Sequence, residues 1–163
     1  DMWNGGTDYF NIESNLWRYV IDPEVGLVSE TRVNESLIEL PATDPRSVGG
    51  PTDEAFCLRY APPSGVSPLA VNDGIVNVNL HDGTETFFAA PNGVAFEEPT
   101  FIPNPEEGSS GGLLVSFAYF LDSDQTALWA FDPDDISLGP VAKVSLPQRV
   151  PFGLHGTFVP QLA

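Results

Sequence analysis

Residues 112–132 read GLLVSFAYFLDSDQTALWAFD, two apolar runs separated by a short polar segment. The runs 112–120 and 127–132 have the length of β-strands and are rich in aromatic and branched side chains. The segment between them, 121–126, supplies the Asp, Ser and Gln that are typical of a turn. The stretch therefore predicts an antiparallel β-hairpin.

The same pattern recurs along the chain, and helical periodicity is almost absent. The sequence contains 16 prolines and 15 glycines, and most of them lie between the apolar runs, where an all-β chain needs turns. One of these turns contains Asp82-Gly83, a pair that favours a tight hairpin. Two further hairpins and one later strand are predicted: 16–21 with 27–32, 74–80 with 85–89, and 141–146.

Successive antiparallel hairpins at this spacing are typical of a sandwich, a barrel or the blades of a propeller. Propeller blades recur every ~40–50 residues, so a chain of this length holds about three to four of them. The most irregular segment, 45–69, is expected to carry a connection between blades, although 55–60 within it resembles a strand and contains the single cysteine, Cys57.

The composition excludes some classes of function. Six basic and 23 acidic residues give a formal net charge of −17. Repulsion of this size disfavours binding to nucleic acid or anionic lipid, so we expect no nucleic-acid partner. A hydrophobic content of 42% predicts a folded chain. No apolar run approaches the ~18 residues that a membrane-spanning helix needs.

The ends and the cysteine content bear on processing and compartment. The chain starts with DMWNGG, which lacks an initiator methionine and the basic and apolar regions of a signal peptide. We therefore expect a processed product or a fragment. Because Cys57 is alone, an internal disulfide is excluded, and we expect a reducing compartment, either the cytoplasm or the soluble phase of an organelle.

Histidine is scarce, with only His81 and His155 in the chain. His155 lies in Gly153-Leu-His-Gly156, where the glycines let the backbone bend sharply and approach another atom closely. Such a turn suits a metal ligand, a catalytic base or simply a tight corner. The residues by themselves leave these alternatives open.

Several short motifs follow one another in a recognisable order. They are Leu16–Tyr19, Ile38–Pro41 and Asp44–Arg46, then Phe96–Pro103 and Gly111–Ser116, and finally Val141–Pro147 and Arg149–Gly156. In order and spacing they resemble the C-terminal third of the carotenoid cleavage oxygenases, the family that includes the retinal pigment epithelium isomerohydrolase. The resemblance extends from Leu16 to Pro160, and the shared order makes it specific although each motif is short.

The resemblance implies an all-β fold, a seven-bladed β-propeller with a ferrous iron on its axis, held by four histidines. His155 matches the fourth of these ligands, and the other three lie upstream in the family. Glu39 and Glu98 match the glutamates that stand behind the histidines, whereas His81 matches no ligand and is assigned to the surface. Residues 1–163 are then expected to form the C-terminal fragment of one propeller domain, containing three to four blades.

Elementary chemistry agrees with this assignment. Neutral imidazole is a good ligand for ferrous iron, and its other ring nitrogen needs an acceptor that fixes the tautomer. Glu39 and Glu98 lie in apolar or proline-bounded runs, where an inward carboxylate needs a partner. The chain departs from the family at three positions: Leu154 replaces the common Phe, Phe158 the frequent Trp, and Glu97 the usual small residue.

The activity that the resemblance implies is cleavage of a polyene double bond by dioxygen, with Fe(2+) as the cofactor and two carbonyl products. An isomerohydrolase and a stilbenoid-cleaving enzyme remain alternatives, as does a non-enzymatic β-rich module. An acidic calcium- or sugar-binding propeller is a weaker alternative, suggested by the acidic turns 122–124 and 132–135. Membrane association of the intact enzyme is left open. The fragment alone is expected to be inactive, since one imidazole cannot replace four.

Overall fold

The computed structural model describes residues 14–60, 72–106, 110–153 and 155–160. Within these ranges the chain forms β-strands and two single-turn 3₁₀ helices, at Pro45–Ser47 and Ile136–Leu138. The strands are β1 (Trp17–Asp22), β2 (Gly26–Arg32), β3 (Ile38–Ala42), β4 (Glu54–Arg59), β5 (Gly74–Asn79), β6 (Glu85–Ala89), β7 (Val94–Phe96), β8 (Thr100–Pro103), β9 (Gly112–Phe120), β10 (Gln125–Phe131) and β11 (Pro140–Ser145). All the pairs that these strands make are antiparallel.

The described strands form three sheets. β1 and β2 form a two-stranded ribbon, and a second sheet has the order β3-β4-β5-β6. The third sheet has the order β11-β10-β9-β7, and β8 also pairs with β9. The three predicted hairpins are confirmed as β1–β2, β5–β6 and β9–β10, and the strand predicted at 141–146 is β11.

Strand β4 is buried on both faces. Successive side chains of a strand point to opposite faces, and here Phe56 and Leu58 join one hydrophobic cluster while Ala55 and Cys57 join another. The second sheet is therefore covered on both sides, as a blade between neighbours would be. The strand-like run predicted at 55–60 is confirmed as β4, so the expectation of an irregular connection over 45–69 does not hold for 54–59. Residues 61–71 lie outside the described ranges.

The larger hydrophobic cluster lies between the second and third sheets. Buried Phe96 and Trp129 have ring centroids 5.4 Å apart, and half-buried Phe88 packs against the cluster with its centroid 5.1 Å from that of Phe131. These rings meet edge to face, an arrangement that contributes about 0.5–1.5 kcal/mol per pair beyond burial itself. The predicted hairpin 112–132 thus contributes Trp129 and Phe131 of β10 to the main core.

The smaller cluster joins the second sheet to the segment that follows β2. The predicted Asp-Gly turn lies at this contact, and Gly83 has a φ of +74°. A Cβ built on Gly83 would overlap the carbonyl oxygen of Val33, so only glycine permits both the turn and the close approach. The outer residues of β1 and β2, including Tyr19 and Ile21, remain exposed.

The two helices that the described residues form have three residues each. Neither is long or apolar enough to cross a membrane.

Candidate metal centre

An irregularity in the third sheet places two consecutive glutamates beside β9. Strands β7 and β8 both pair with β9, with Phe96 opposite Ala118 and Thr100 opposite Val115. Three residues, 97–99, therefore face two residues of β9, which is the pattern of a β-bulge. A bulge of this kind redirects side chains, and here it carries Glu97 and Glu98.

Glu98 meets the predicted metal ligand. Its carboxylate oxygens lie 3.3 and 3.4 Å from Nδ1 of His155, and Oε2 accepts a hydrogen bond of 3.0 Å from the backbone N–H of Gly156. The side chain of Glu98 is 16% exposed, whereas that of His155 is 74% exposed. One carboxylate thus holds both the imidazole and the backbone that follows it.

This arrangement suits an imidazole that binds a metal. A carboxylate facing Nδ1 favours the tautomer with a proton on that nitrogen, which leaves the lone pair of Nε2 available to coordinate a metal ion. His155 therefore fits the role of metal ligand, and Glu98 that of the carboxylate behind it, which the resemblance implies. Within the described ranges, however, no three His, Cys, Asp or Glu side chains cluster as a complete metal site.

Glu39 lies elsewhere, in the second sheet. It occupies β3, pairs with Leu58 of β4, and is followed by a register shift in which Leu40 adopts a φ of +54°. Its exposed side chain lines a cleft of about 160 Å³. Burial, with a further contribution from the Glu39 charge, raises the pKa of Tyr60. Among the described residues Glu39 forms no hydrogen bond or ion pair with His155, so only one of the two predicted glutamates, Glu98, meets the histidine ring.

His81 and Cys57, the other histidine and the single cysteine, lie on other elements of the fold. His81 is exposed in the turn between β5 and β6, with Nε2 2.7 Å from Oδ1 of Asp53. Cys57 is buried in β4, and burial, together with the charge of Glu85, raises the pKa of its thiol to about 12. The surface assignment of His81 is confirmed.

The acidic turns that suggested calcium have other partners. Asp124 forms an ion pair with Arg149, whose Nε lies 2.6 Å from Oδ1 of Asp124. Asp132 accepts a hydrogen bond from the backbone N–H of Asp134. Asp135 accepts hydrogen bonds from the backbone and the hydroxyl of Ser137, as the cap of a 3₁₀ helix. These carboxylates stabilise local turns.

Sequence reasoning missed a second group of contacts next to the candidate ligand. The Tyr119 hydroxyl donates to Oε2 of Glu97 at 2.9 Å and also lies 3.1 Å from the carbonyl oxygen of Pro151. The ring of Phe152 packs on Tyr119 with centroids 4.6 Å apart. The only sequence signal was Glu97 itself, a glutamate where the family has a small residue. Of the other departures, Phe158 is exposed and Leu154 lies outside the described residues.

Stacked antiparallel sheets and a histidine oriented by a carboxylate define an all-β protein of propeller type with a candidate metal ligand. The family model for the retinal pigment epithelial membrane protein matches residues 3–160. The chain therefore belongs to this family, the carotenoid cleavage oxygenases.

Individual relatives agree with the family assignment. The apocarotenoid-15,15'-oxygenase of Synechocystis is 31% identical over 155 residues, which cover 93% of this chain and 31% of that protein. Resveratrol cleavage oxygenase 1 of Chaetomium globosum is 35% identical over 75 residues, 46% of this chain and 12% of the relative.

A solved structure has the same fold. The cobalt-substituted apocarotenoid oxygenase of Synechocystis superimposes with a TM-score of 0.79 at 27% identity, over 99% of this chain and 33% of that one. The fold is thus part of a propeller of the kind that the sequence predicted. The chain spans about a third of the length of the apocarotenoid oxygenase that it matches.

Proposed function

We propose that the protein is an iron(II)-dependent oxygenase that cleaves a double bond of a carotenoid or apocarotenoid. The observation that carries the proposal is the contact between the Glu98 carboxylate and Nδ1 of His155, 3.3 Å long. A surface histidine can also meet a carboxylate, but the Glu98 carboxylate is only 16% exposed and is itself held by the Gly156 N–H. A histidine that binds a metal requires a fixed ring and a free nitrogen, and this contact provides both.

Each residue has a separate part in this proposal. His155 binds iron(II) through Nε2. Glu98 accepts hydrogen bonds from the Nδ1–H of His155 and the N–H of Gly156, which fixes the ring and the turn together. Glu39, whose carboxylate makes no hydrogen bond or ion pair among the described residues, orients another histidine of the full-length protein. The bound iron supplies the redox chemistry with dioxygen, so no residue is assigned as a general base.

The reaction class follows from the family. One molecule of dioxygen adds one oxygen atom to each carbon of the broken double bond, which gives two carbonyl products and needs no further reductant. The name of the Synechocystis relative supports an apocarotenoid substrate. The resemblance to a resveratrol cleavage oxygenase supports a second candidate, a stilbenoid substrate for the same chemistry. A reducing compartment suits either, since it keeps iron divalent.

The proposal is tested with full-length protein prepared without oxygen. Iron is quantified after reconstitution with ferrous salt, and the protein is then given an apocarotenoid or resveratrol under ¹⁸O₂. We expect about one iron per protein and one labelled oxygen atom in each carbonyl product, read by mass spectrometry with rapid quenching.

Other outcomes point to the alternatives. Isomerisation and ester cleavage without dioxygen uptake would indicate an isomerohydrolase. Failure to bind iron after anaerobic reconstitution of folded protein would overturn the oxygenase and favour a non-enzymatic module. The 163-residue chain alone should bind iron weakly and show no turnover, because it offers one imidazole.

A further inference from the structure

The segment that carries His155 has an unusual means of support. In the terminal segment, 149–156, the described residues belong to no strand and make no backbone–backbone hydrogen bond. Most of these residues are exposed. The position of His155 therefore depends on side chains of the third sheet rather than on a ladder of strand hydrogen bonds.

The first of these contacts fix the beginning of the terminal segment. Arg149 forms its ion pair with Asp124, in the turn between β9 and β10. The hydroxyl of Thr126 donates to the carbonyl oxygen of Val150 and accepts from its N–H, both at 3.2 Å. These contacts hold residues 149–150 but leave 151–153 to other partners.

The partners of 151–153 are Glu97 and Tyr119. Glu97 is 8% exposed, and its backbone is held to β9 on both sides, since its N–H donates to Phe117 and its carbonyl oxygen accepts from the Ser116 hydroxyl at 2.6 Å. The Tyr119 hydroxyl reaches both Glu97 and Pro151. Glu97 is thus fixed both at its backbone and at its carboxylate.

The same carboxylate packs on the backbone of Gly153. A Cβ built on Gly153 would overlap Oε1 of Glu97, so the glycine leaves the space that the carboxylate fills. Gly153 is two residues before His155, and Glu98, the neighbour of Glu97, receives the His155 ring. One bulge therefore presents one glutamate to the backbone before the histidine and the next glutamate to its side chain.

We propose that Glu97 and Tyr119 are positioning residues, which fix the terminal segment so that His155 meets Glu98 before any metal binds. The proposal rests on the assignment of His155 as a metal ligand. Neither residue touches substrate or metal in this role. Their effect is to reduce the number of conformations that binding would otherwise have to restrict.

The test uses full-length apo-protein and four variants. Tyr119→Phe removes the hydroxyl alone, Glu97→Ala removes its acceptor, and Gly153→Ala pushes on the carboxylate from the other side. Glu97→Gln keeps the size of the side chain and one acceptor oxygen, so it should retain most of the contacts that fix the terminal segment. Backbone hydrogen exchange is measured at 149–156 and, as an internal reference, at 74–89 in the second sheet.

Two matched controls accompany these variants. Tyr19→Phe removes another tyrosine hydroxyl that lies near a glutamate, 3.3 Å from Glu30 on the exposed β1–β2 hairpin. Gly50→Ala adds a methyl group where the nearest atom outside its neighbours is 3.5 Å away. Neither control should change exchange at 149–156.

We expect Tyr119→Phe, Glu97→Ala and Gly153→Ala to speed exchange at 149–156 about tenfold or more, with 74–89 unchanged. Affinity for Co(II), followed by its visible absorption, should fall about 10–100-fold in the same variants, as outer contacts of a metal ligand typically cost. Glu97→Gln should remain within a few-fold of wild type in both measurements.

Two results would overturn the proposal. One is unchanged exchange at 149–156, or a change that 74–89 shares, which would indicate a purely global loss of stability. The other is faster local exchange with unaltered Co(II) affinity, which would deny a positioning role. Wild-type protein that binds neither Co(II) nor Fe(II) would instead defeat the proposed function, while the exchange data would still decide whether the two residues fix the segment.

Discussion

The chain contains two histidines, and each lies beside a carboxylate. His81 contacts Asp53 through Nε2 at 2.7 Å, whereas His155 contacts Glu98 through Nδ1 at 3.3 Å. By distance alone the His81 pair is the closer one. The two differ in what surrounds the carboxylate: Asp53 is 79% exposed, and Glu98 is 16% exposed.

That difference separates a surface ion pair from a prepared ligand. An exposed pair gains little, because water and salt screen it and both side chains must be ordered. Glu98 is already held, since it also accepts a hydrogen bond from the Gly156 N–H and lies in a bulge that is bound to β9 through the carbonyl oxygen of Glu97. Because the fold already orders the carboxylate, little conformational entropy is lost when it orients the ring of His155.

The largest expected effect comes from removing one histidine and then the other. In the full-length protein, His155→Ala should abolish iron binding and iron-dependent cleavage, because a direct ligand is lost. His81→Ala should change neither, since its ring lies in an exposed turn. Iron content by mass spectrometry and product formation measure both variants. Loss of iron in folded His81→Ala would show that the wrong histidine had been chosen.

A smaller effect is expected from the two carboxylates. Glu98→Gln keeps the size and one acceptor but loses the charge, and should lower iron affinity or activity about 10–100-fold. The matched change Asp53→Asn should leave both at the wild-type value. Competitive titration with a chelator gives the affinities. Equal iron affinities for Glu98→Gln and Asp53→Asn would show that the carboxylate beside His155 matters no more for iron than the one beside His81.

Glu39→Gln should have a milder effect, near the lower end of that range, about tenfold. Its exposed side chain makes no hydrogen bond or ion pair among the described residues, so its proposed partner is a histidine elsewhere in the full-length protein. The same chelator titration applies. A wild-type affinity for Glu39→Gln would exclude Glu39 from the centre without affecting His155 or Glu98.

The smallest expected effect is on the pH dependence of the Tm, and it comes from Tyr119, which lies beside the segment that carries His155. Burial and the Glu97 carboxylate raise the pKa of Tyr119 from 10.0 to about 12. A group whose pKa is higher in the folded state stabilises fully below its unfolded pKa, and this stabilisation is lost as the pH rises through the folded value. The Tm of apo-protein should thus fall more steeply between pH 10 and 12 for wild type than for Tyr119→Phe. Parallel Tm profiles would contradict the raised pKa.

Much of the fold could be predicted because its signals are local. The hairpin at 112–132 needs only strand-forming side chains on either side of a polar turn, and the structure forms it as β9 and β10. Strand β4 was harder, since it lies within a segment rich in proline and glycine. It becomes a central strand, buried on both faces, only through its pairing with β3 and β5. Residues 43–53 separate it from β3, and residues 60–73 separate it from β5.

The candidate site divides in the same way. His155 and Glu98 could be named from motifs because the spacing of short sequence patterns survives where overall identity is low, and the structure brings the two side chains together. The part of Glu97 could not be inferred, since a glutamate in a sequence is ordinarily a solvated surface residue. Its burial against Tyr119 and Gly153 requires three segments of the chain to meet.

The sequence by itself determined an all-β chain, the positions of its main hairpins, the family and one candidate ligand, because each depends on residues that are close together or on motif order. The tertiary structure decided which carboxylate supports which histidine. It also decided that the terminal segment is held by side chains of β9 and β10 rather than by strand pairing. The physical reason is that burial and hydrogen-bond partners are properties of contacts between distant segments, and they exist only once the sheets have packed.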